Sequence, residues 1–353
     1  MRFRILYECL QEGTMTELTK VVVDAMGGDN APEALVKGAM EAVNRRADIK
    51  VFLTGDKEKI EEILSSADYP KDKIEVVHTS EVIETAESPV SAIRKKKDSS
   101  LVVAMGLVKK GEADALVTAG NTGAVLVGAQ LVVGRIKGVE RAPLAVLLPN
   151  PKGLSLLLDC GANVDARASH LVQFAKMGSI YMEYAMGVKS PKVGIVNNGA
   201  EEEKGNALVK ETFPLLKACN DINFVGSVEA RDIPTGAVDV IVCEAFVGNV
   251  ILKLTEGVGM TLISMIKQGL KSTTMSKIGA LLAKPALKKT LKIFDVSEYG
   301  GAPLLGLKGL VVKTHGSAKS KEVANSIIQC VKFKEEKISE KLSLAFQSET
   351  KKE

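Results

Sequence analysis

Short runs of β-branched and aliphatic residues recur along this chain, apolar at every position. They lie at 21–23, 51–53, 74–77, 115–117, 144–148, 154–158, 193–196, 238–242 and 310–312. A strand that is apolar on both faces must be covered on both faces. Helices above and below a largely parallel sheet do this, whereas a one-sided antiparallel sheet would show alternation. The segments between the runs carry helical spacing. Residues 32–46 place Leu35, Ala39, Ala42 and Val43 on one face, with Asn30 set to cap and Pro32 near the first turn. The expected fold class is therefore α/β, a doubly wound, mostly parallel sheet. At 353 residues, 46% of them hydrophobic and 31 glycine, the chain suits one large domain or two interlocked lobes.

Composition removes several function classes. The five cysteines are scattered, with no CxxC pair, so neither a disulfide framework nor a zinc site is expected, and a reducing cytoplasm is the simplest compartment. No apolar run approaches the roughly 20 residues of a membrane span, and Glu8, Gln11 and Glu12 occupy the place where a signal peptide would be apolar. Net charge is +4, and aromatic residues are 4% with no tryptophan, a poor supply of stacking platforms, so nucleic acid is not an expected partner. The lysine-rich end from Lys332 reads as a solvated tail.

In open α/β sheets ligands sit beyond the carboxyl ends of the strands. Four runs end in glycine and small polar residues: Asp24 to Asn30 with Gly27 and Gly28, Thr118 to Gly123 with Asn121 and Thr122, Asp159 to Asn163, and Asn197 to Gly199. The loop ending at Gly123 leads into an apolar helix-like segment. Unpaired N–H groups and the helix dipole then point the same way, which is a geometry for binding an anion. A ligand-free tight turn explains any one of these loops equally well; four together favour a site. Neither a complete Walker loop nor GxGxxG is present, GxSxG is absent, and His78, His170 and His315 do not form a metal-binding spacing.

Two basic stretches stand apart. Arg94-Lys95-Lys96-Lys97 reads first as a solvated helix end. Residues 267–292 carry seven lysines and no acid, interleaved with leucine, isoleucine and methionine. That pattern fits a helical hairpin with an apolar tip and basic flanks, either an ordinary surface or dimer pair or an element that meets a membrane surface.

Taken together, Val23-Asp24-Ala25-Met26-Gly27-Gly28-Asp29, Thr118-Ala119-Gly120-Asn121-Thr122-Gly123-Ala124, Leu158-Asp159-Cys160-Gly161-Ala162-Asn163, Glu203-Lys204-Gly205-Asn206 and Tyr299-Gly300-Gly301-Ala302-Pro303-Leu304-Leu305-Gly306 resemble the PlsX family. These are acyl-acyl-carrier-protein:phosphate acyltransferases of bacterial phospholipid synthesis. The resemblance runs in order from about Lys20 to Gln329, leaving residues 1–19 as an extension, 20–330 as the catalytic domain and 331–353 as a charged helix or tail. It implies an isocitrate/isopropylmalate-dehydrogenase-like three-layer α/β/α fold and a homodimer. It further implies no cofactor, a cytoplasmic enzyme with peripheral membrane contact through 267–292, and active-site positions at Lys204 and Asn249. The chain departs from the family pattern at Glu244-Ala245, where Asp-Gly is usual, and at Ser227 to Arg231.

The implied reaction moves a long fatty acyl group from the carrier thioester to inorganic phosphate. Phosphate, already ionised, is its own nucleophile and needs positioning more than deprotonation. Lys204, Asn249 and His315 are the expected catalytic groups. Asp24, Gly27, Gly28, Asn121, Thr122, Gly123, Asp159 and Asn163 are the expected phosphate or substrate loops, with no metal. Acyl carrier protein, being acidic, is expected to dock on lysine or arginine. The competing readings are a phosphotransacetylase-like enzyme using coenzyme A, a dehydrogenase of related fold, and a non-catalytic membrane scaffold.

Overall fold

The computed structural model describes residues 18–293 and 296–349, so the expected extension lies outside the described residues up to residue 17. The apolar runs form two sheets. The first contains β1 (Thr19–Asp24), β2 (Ile49–Gly55), β3 (Ile74–His78), β4 (Ala115–Thr118), β10 (Ala302–Leu304) and β11 (Leu310–Lys313), in the order β10-β11-β4-β1-β2-β3. The second contains β5 (Val146–Asn150), β6 (Gly153–Leu158), β7 (Lys192–Asn197), β8 (Asn223–Glu229) and β9 (Val240–Val242), in the order β5-β6-β9-β7-β8. Among the strand pairs of the described residues, only β10–β11 and β5–β6 are antiparallel. The chain completes the second sheet before returning to lay β10 and β11 on the first, which interlocks the two lobes. An antiparallel bridge between Leu144 and Leu304 joins them at that edge.

Helices cover both faces, as the two-sided apolar runs require. Val21 and Val23 point into one core with α1 (Glu33–Arg45) and α10 (Ser320–Glu335), while Val22 points into the other with α4 (Ser100–Lys110) and α5 (Thr122–Gly128). The second sheet divides in the same way: Leu156 and Leu158 face α6 (Ala168–Ile180), and Leu157 and Ile241 face the opposite side. The remaining helices are α2 (Lys57–Ser65), α3 (Pro89–Lys95), α7 (Ala207–Lys217), α8 (Ala245–Lys271), α9 (Thr274–Ile293) and α11 (Ile338–Glu349).

Several expectations are corrected. The strand expected at 144–148 forms two residues later, because the Leu144 N–H is taken by the Asp159 carboxylate. β8 and β10 carry no apolar run: β8 is a half-exposed edge strand, and β10 is an Ala-Pro-Leu edge whose proline cannot donate to a ladder. Asn30 does not cap α1; its amide donates to the carbonyls of Ser317 and Ala318, at 3.0 and 3.2 Å, and ties two loops together. The hairpin extends well before 267, since α8 and α9 meet at Ser272-Thr273. Its tip is polar, with Thr273 bonded to Ser276, and the apolar residues lie along the helix sides, where Leu254, Met260, Met275 and Leu282 are exposed. The helix α8 is long and apolar enough to cross a membrane by length and composition, yet its first turns are packed into the lobe through Ala245, Gly248 and Ile251.

Residues 332–349 are not a solvated tail. In α11, Ile338, Leu342 and Phe346 repeat at helical spacing and are at most 1% exposed, filling the core beside α6 and α10, while Lys341 bonds the Glu336 carbonyl and lies over the Tyr184 ring. Phe346→Ala is expected to destabilise the fold by about 3–5 kcal/mol. An unchanged urea midpoint for this variant would contradict the packing of α11.

Candidate active site

Parallel register sets the carboxyl ends of β1, β2, β4 and β11 side by side, with Asp24 level with Thr54 and Thr118, and Thr118 level with Lys313. The loops that leave these ends are packed against one another. A side-chain carbon on Gly27 would lie 2.5 Å from an Asp24 carboxylate oxygen and 2.7 Å from the Gly120 nitrogen. Gly28 has φ +99 and sits against Ala119 and the Gly316 carbonyl. Both glycines therefore serve close approach of backbone to backbone.

Asp24 is buried beneath these loops. It accepts hydrogen bonds from Ser100 Oγ at 2.6 Å and Thr118 Oγ1 at 2.8 Å. Burial pushes its carboxyl above the usual carboxylate range, opposed by those two hydroxyls and by Lys313 nearby. At the end of β6, Asp159 is fully buried. One oxygen accepts from the N–H groups of Leu144, Gly161 and Ala162, and the other from the N–H and the amide of Asn163. Burial again raises the carboxyl, and the surrounding donors pull it back. The Asn163 amide also bonds the Ala142 carbonyl at 3.0 Å. Asn121 caps α5 by accepting from the Ala124 N–H, and its amide reaches the carbonyls of Glu84, Thr85 and Glu87. Gly123 faces Pro89. The carboxylates of Asp24 and Asp159, both ends of the Asn121 amide and the amide nitrogen of Asn163 are thus occupied in holding loops.

What faces solvent is a cavity of about 280 Å³ between the lobes, lined by Thr122, Asn249, His315, Lys313, Lys253 and Cys160 among others. Asn249 stands in the early turns of α8, exposed, and its amide meets no acceptor among the described residues. That helix begins at Glu244, whose carboxylate caps it by accepting from the N–H groups of Phe246 and Val247. Glu244 thus supplies an N-terminal cap where the family pattern has aspartate. The His315 ring accepts the Ser317 backbone N–H at Nδ1, at 3.2 Å. In the neutral ring the proton is then on Nε2. Cys160 lines the same cavity, but burial pushes its thiol well up, so it is a protonated thiol at neutral pH and not a nucleophile.

The structure brings together three of the sequence-derived candidates, Thr122, Asn249 and His315. Lys204 lies outside the cavity lining, on the loop after β7, with half of its side chain exposed and Nζ 3.1 Å from Glu201. Its strand and the one feeding α8 are neighbours, since Ile195 pairs with Val242. Sequence reasoning missed Lys313 and Lys253. The only signal for Lys313 was a lysine ending an apolar run just before Thr314-His315-Gly316.

Residues 19–341 match the family model described as "Fatty acid synthesis protein". The chain is 52% identical over 324 residues to a phosphate acyltransferase of Alkaliphilus oremlandii, covering 92% of this chain and 96% of that one. It is 50% identical over 323 residues to a phosphate acyltransferase of Clostridium acetobutylicum, covering 92% and 97%. The crystal structure of a phosphotransacetylase from Streptococcus pyogenes superposes with a TM-score of 0.64 at 16% identity, covering 95% of this chain and all of that one, a likeness of fold.

Asp159→Asn exchanges an acceptor for an amide that cannot satisfy all of these N–H groups. It is expected to cost about 1–3 kcal/mol of stability. Thermal unfolding of the variant, compared with the parent, measures this, and an unchanged midpoint would refute the loop-holding role.

Proposed function

This chain belongs to the PlsX family of phosphate acyltransferases, and from that premise we propose that it transfers a long-chain acyl group from acyl carrier protein to inorganic phosphate for phospholipid synthesis. The observation that carries the reading is the cavity at the carboxyl ends of the strands. It combines unoccupied donors on Asn249 and His315 with a single thiol, Cys160, held protonated. Such a site binds an anionic nucleophile and supplies none of its own.

In the proposed reaction a phosphate oxygen attacks the thioester carbonyl, and the carbon–sulfur bond breaks as the tetrahedral intermediate collapses. The products are acyl phosphate and the carrier thiolate, which takes a proton. Asn249 and the Thr122 end of α5 orient phosphate. The Nε2 proton of His315 is available to the oxyanion or to the departing sulfur. Lys204, from the neighbouring strand end, provides positive charge to the developing oxyanion once it exchanges Glu201 for substrate. Asp24, Asp159, Asn121, Asn163, Gly27, Gly28 and Gly123 act through loop position. No cofactor is required.

The carrier is acidic, and its docking falls to exposed basic residues. In the run at 94–97, Lys96 is bonded to Glu87 and the Val82 carbonyl and Lys97 to the Ile93 carbonyl, so Arg94 and Lys95 are the better candidates. The exposed apolar sides of α8 and α9 support a homodimer, and their lysines support contact with an anionic membrane surface.

Acyl-acyl carrier protein and phosphate should yield an acyl phosphate trapped by hydroxylamine, at a rate that falls as salt rises. Faster turnover of acyl-coenzyme A, with no salt dependence, would favour the phosphotransacetylase-like reading. Lys204→Ala is expected to lower kcat by roughly 10²–10³ with little change in the KM for phosphate. A folded Lys204→Ala protein with near-normal thiol release would remove Lys204 from the mechanism.

A further inference from the structure

Lys313 ends β11 inside the molecule and is 8% exposed. Its Nζ donates to the carbonyl oxygens of Ala119, at 3.2 Å, and of Thr314. An ammonium group has three donors. The third has no acceptor among the described residues, and Lys313 lines the cavity that holds Asn249 and His315. Among the described residues no carboxylate comes within ion-pair distance of it. Asp24, close enough to be felt, has its oxygens occupied by Ser100 and Thr118.

A buried charge without a counter-charge is costly, and proteins ordinarily neutralise it or pair it. Here two carbonyl dipoles hold the ammonium in place, and the acids on the cavity lining, Glu322 and Glu256, are engaged by the His315 N–H and Lys253 and make no ion pair with it. We propose that Lys313 is the cation that binds inorganic phosphate in this cavity, with Lys253 as a second positive charge at its rim. Lys253 itself is well exposed and 3.3 Å from Glu256, so it can turn toward an incoming anion without a burial cost. The inference deepens the acyltransfer reading by dividing two roles. Lys313 fixes the nucleophile before reaction, and Lys204 meets charge that develops during it.

The site has a built-in pH limit. Burial lowers the Lys313 ammonium to about 8, partly offset by Asp24, Glu322 and Asp29, while Lys253 lowers it further. These groups lie on β1, α10, the loop after β1 and α8; Glu256 of α8, Tyr299 and His315 of the loop after β11 share the cavity. The protonated form binds phosphate, so affinity holds below pH 8 and falls as pH rises through that value. Arginine keeps its charge throughout this range.

The test is calorimetric titration of inorganic phosphate into the full-length chain, without acyl donor, between pH 7 and 9. The parent is expected to weaken across that range, Lys313→Arg to hold its affinity, and Lys313→Met to bind at least about ten-fold more weakly at pH 7. Three results would each overturn the proposal: no phosphate binding by the parent, a folded Lys313→Met protein within two-fold of it, or a Lys313→Arg protein with the same pH dependence. If Lys313→Met does not fold, the comparison of Lys313→Arg with the parent decides. Lys313-dependent phosphate binding by a protein that makes no acyl phosphate would overturn the acyltransfer reading and leave this one standing.

Discussion

Asp24 accepts hydrogen bonds from Ser100 and Thr118 inside the first lobe, and the arrangement of the cavity depends on that buried carboxylate. Taking a carboxylate out of water is unfavourable unless its oxygens are satisfied, so the hydroxyls of α4 and β4 must stay where they are. With Thr118 fixed, Gly120 can approach Gly27, and the loop after β11 can lie against Gly28. Asp159 does the same work in the second lobe, where Leu144 and the loop through Asn163 converge on its two oxygens. Two buried acids therefore shape the site from beneath with their own oxygens occupied, while the acids on its lining, Glu256 and Glu322, are engaged by Lys253 and the His315 N–H.

The charges that do face the cavity are arranged by exposure. Lys313 is buried and Lys253 is exposed at the rim beside Glu256, with Glu322 on the same lining, while Lys204 lies outside it at a separate strand end with a carboxylate partner of its own. This ordering suits a reaction in which a small, multiply charged nucleophile is fixed first and a larger acyl donor arrives from solvent. A desolvated cation interacts with phosphate far more strongly than an exposed one, because less water screens it.

Much of the fold was legible before any coordinates. Runs such as Val21 to Val23 are apolar on both faces, and a sheet covered by helices on both sides accommodates that. The edge strands β8 and β10 were not legible, since an edge needs neither an apolar run nor a full set of donors. The packed α11 was hidden by the lysines just before it, at 332, 334 and 337, although Ile338, Leu342 and Phe346 already had helical spacing. In the site, Thr122, Asn249 and His315 were legible as polar residues beyond strand ends. Asp24, Asp159 and Asn163 occupy equivalent positions in sequence, yet their side chains point inward and organise loops.

The sequence by itself determined the α/β class, the family and the glycine-bearing loops at the strand ends, because periodicity and composition are local and each residue carries them independently. Only the tertiary structure decided which polar side chain at each strand end faces the cavity and which is bonded beneath it. That choice depends on register between strands distant in sequence and on which donors each carboxylate finds. Lys313 illustrates the difference: in sequence it is a lysine after three apolar residues, and in the fold it is a buried cation beside β4 with one donor open to the cavity.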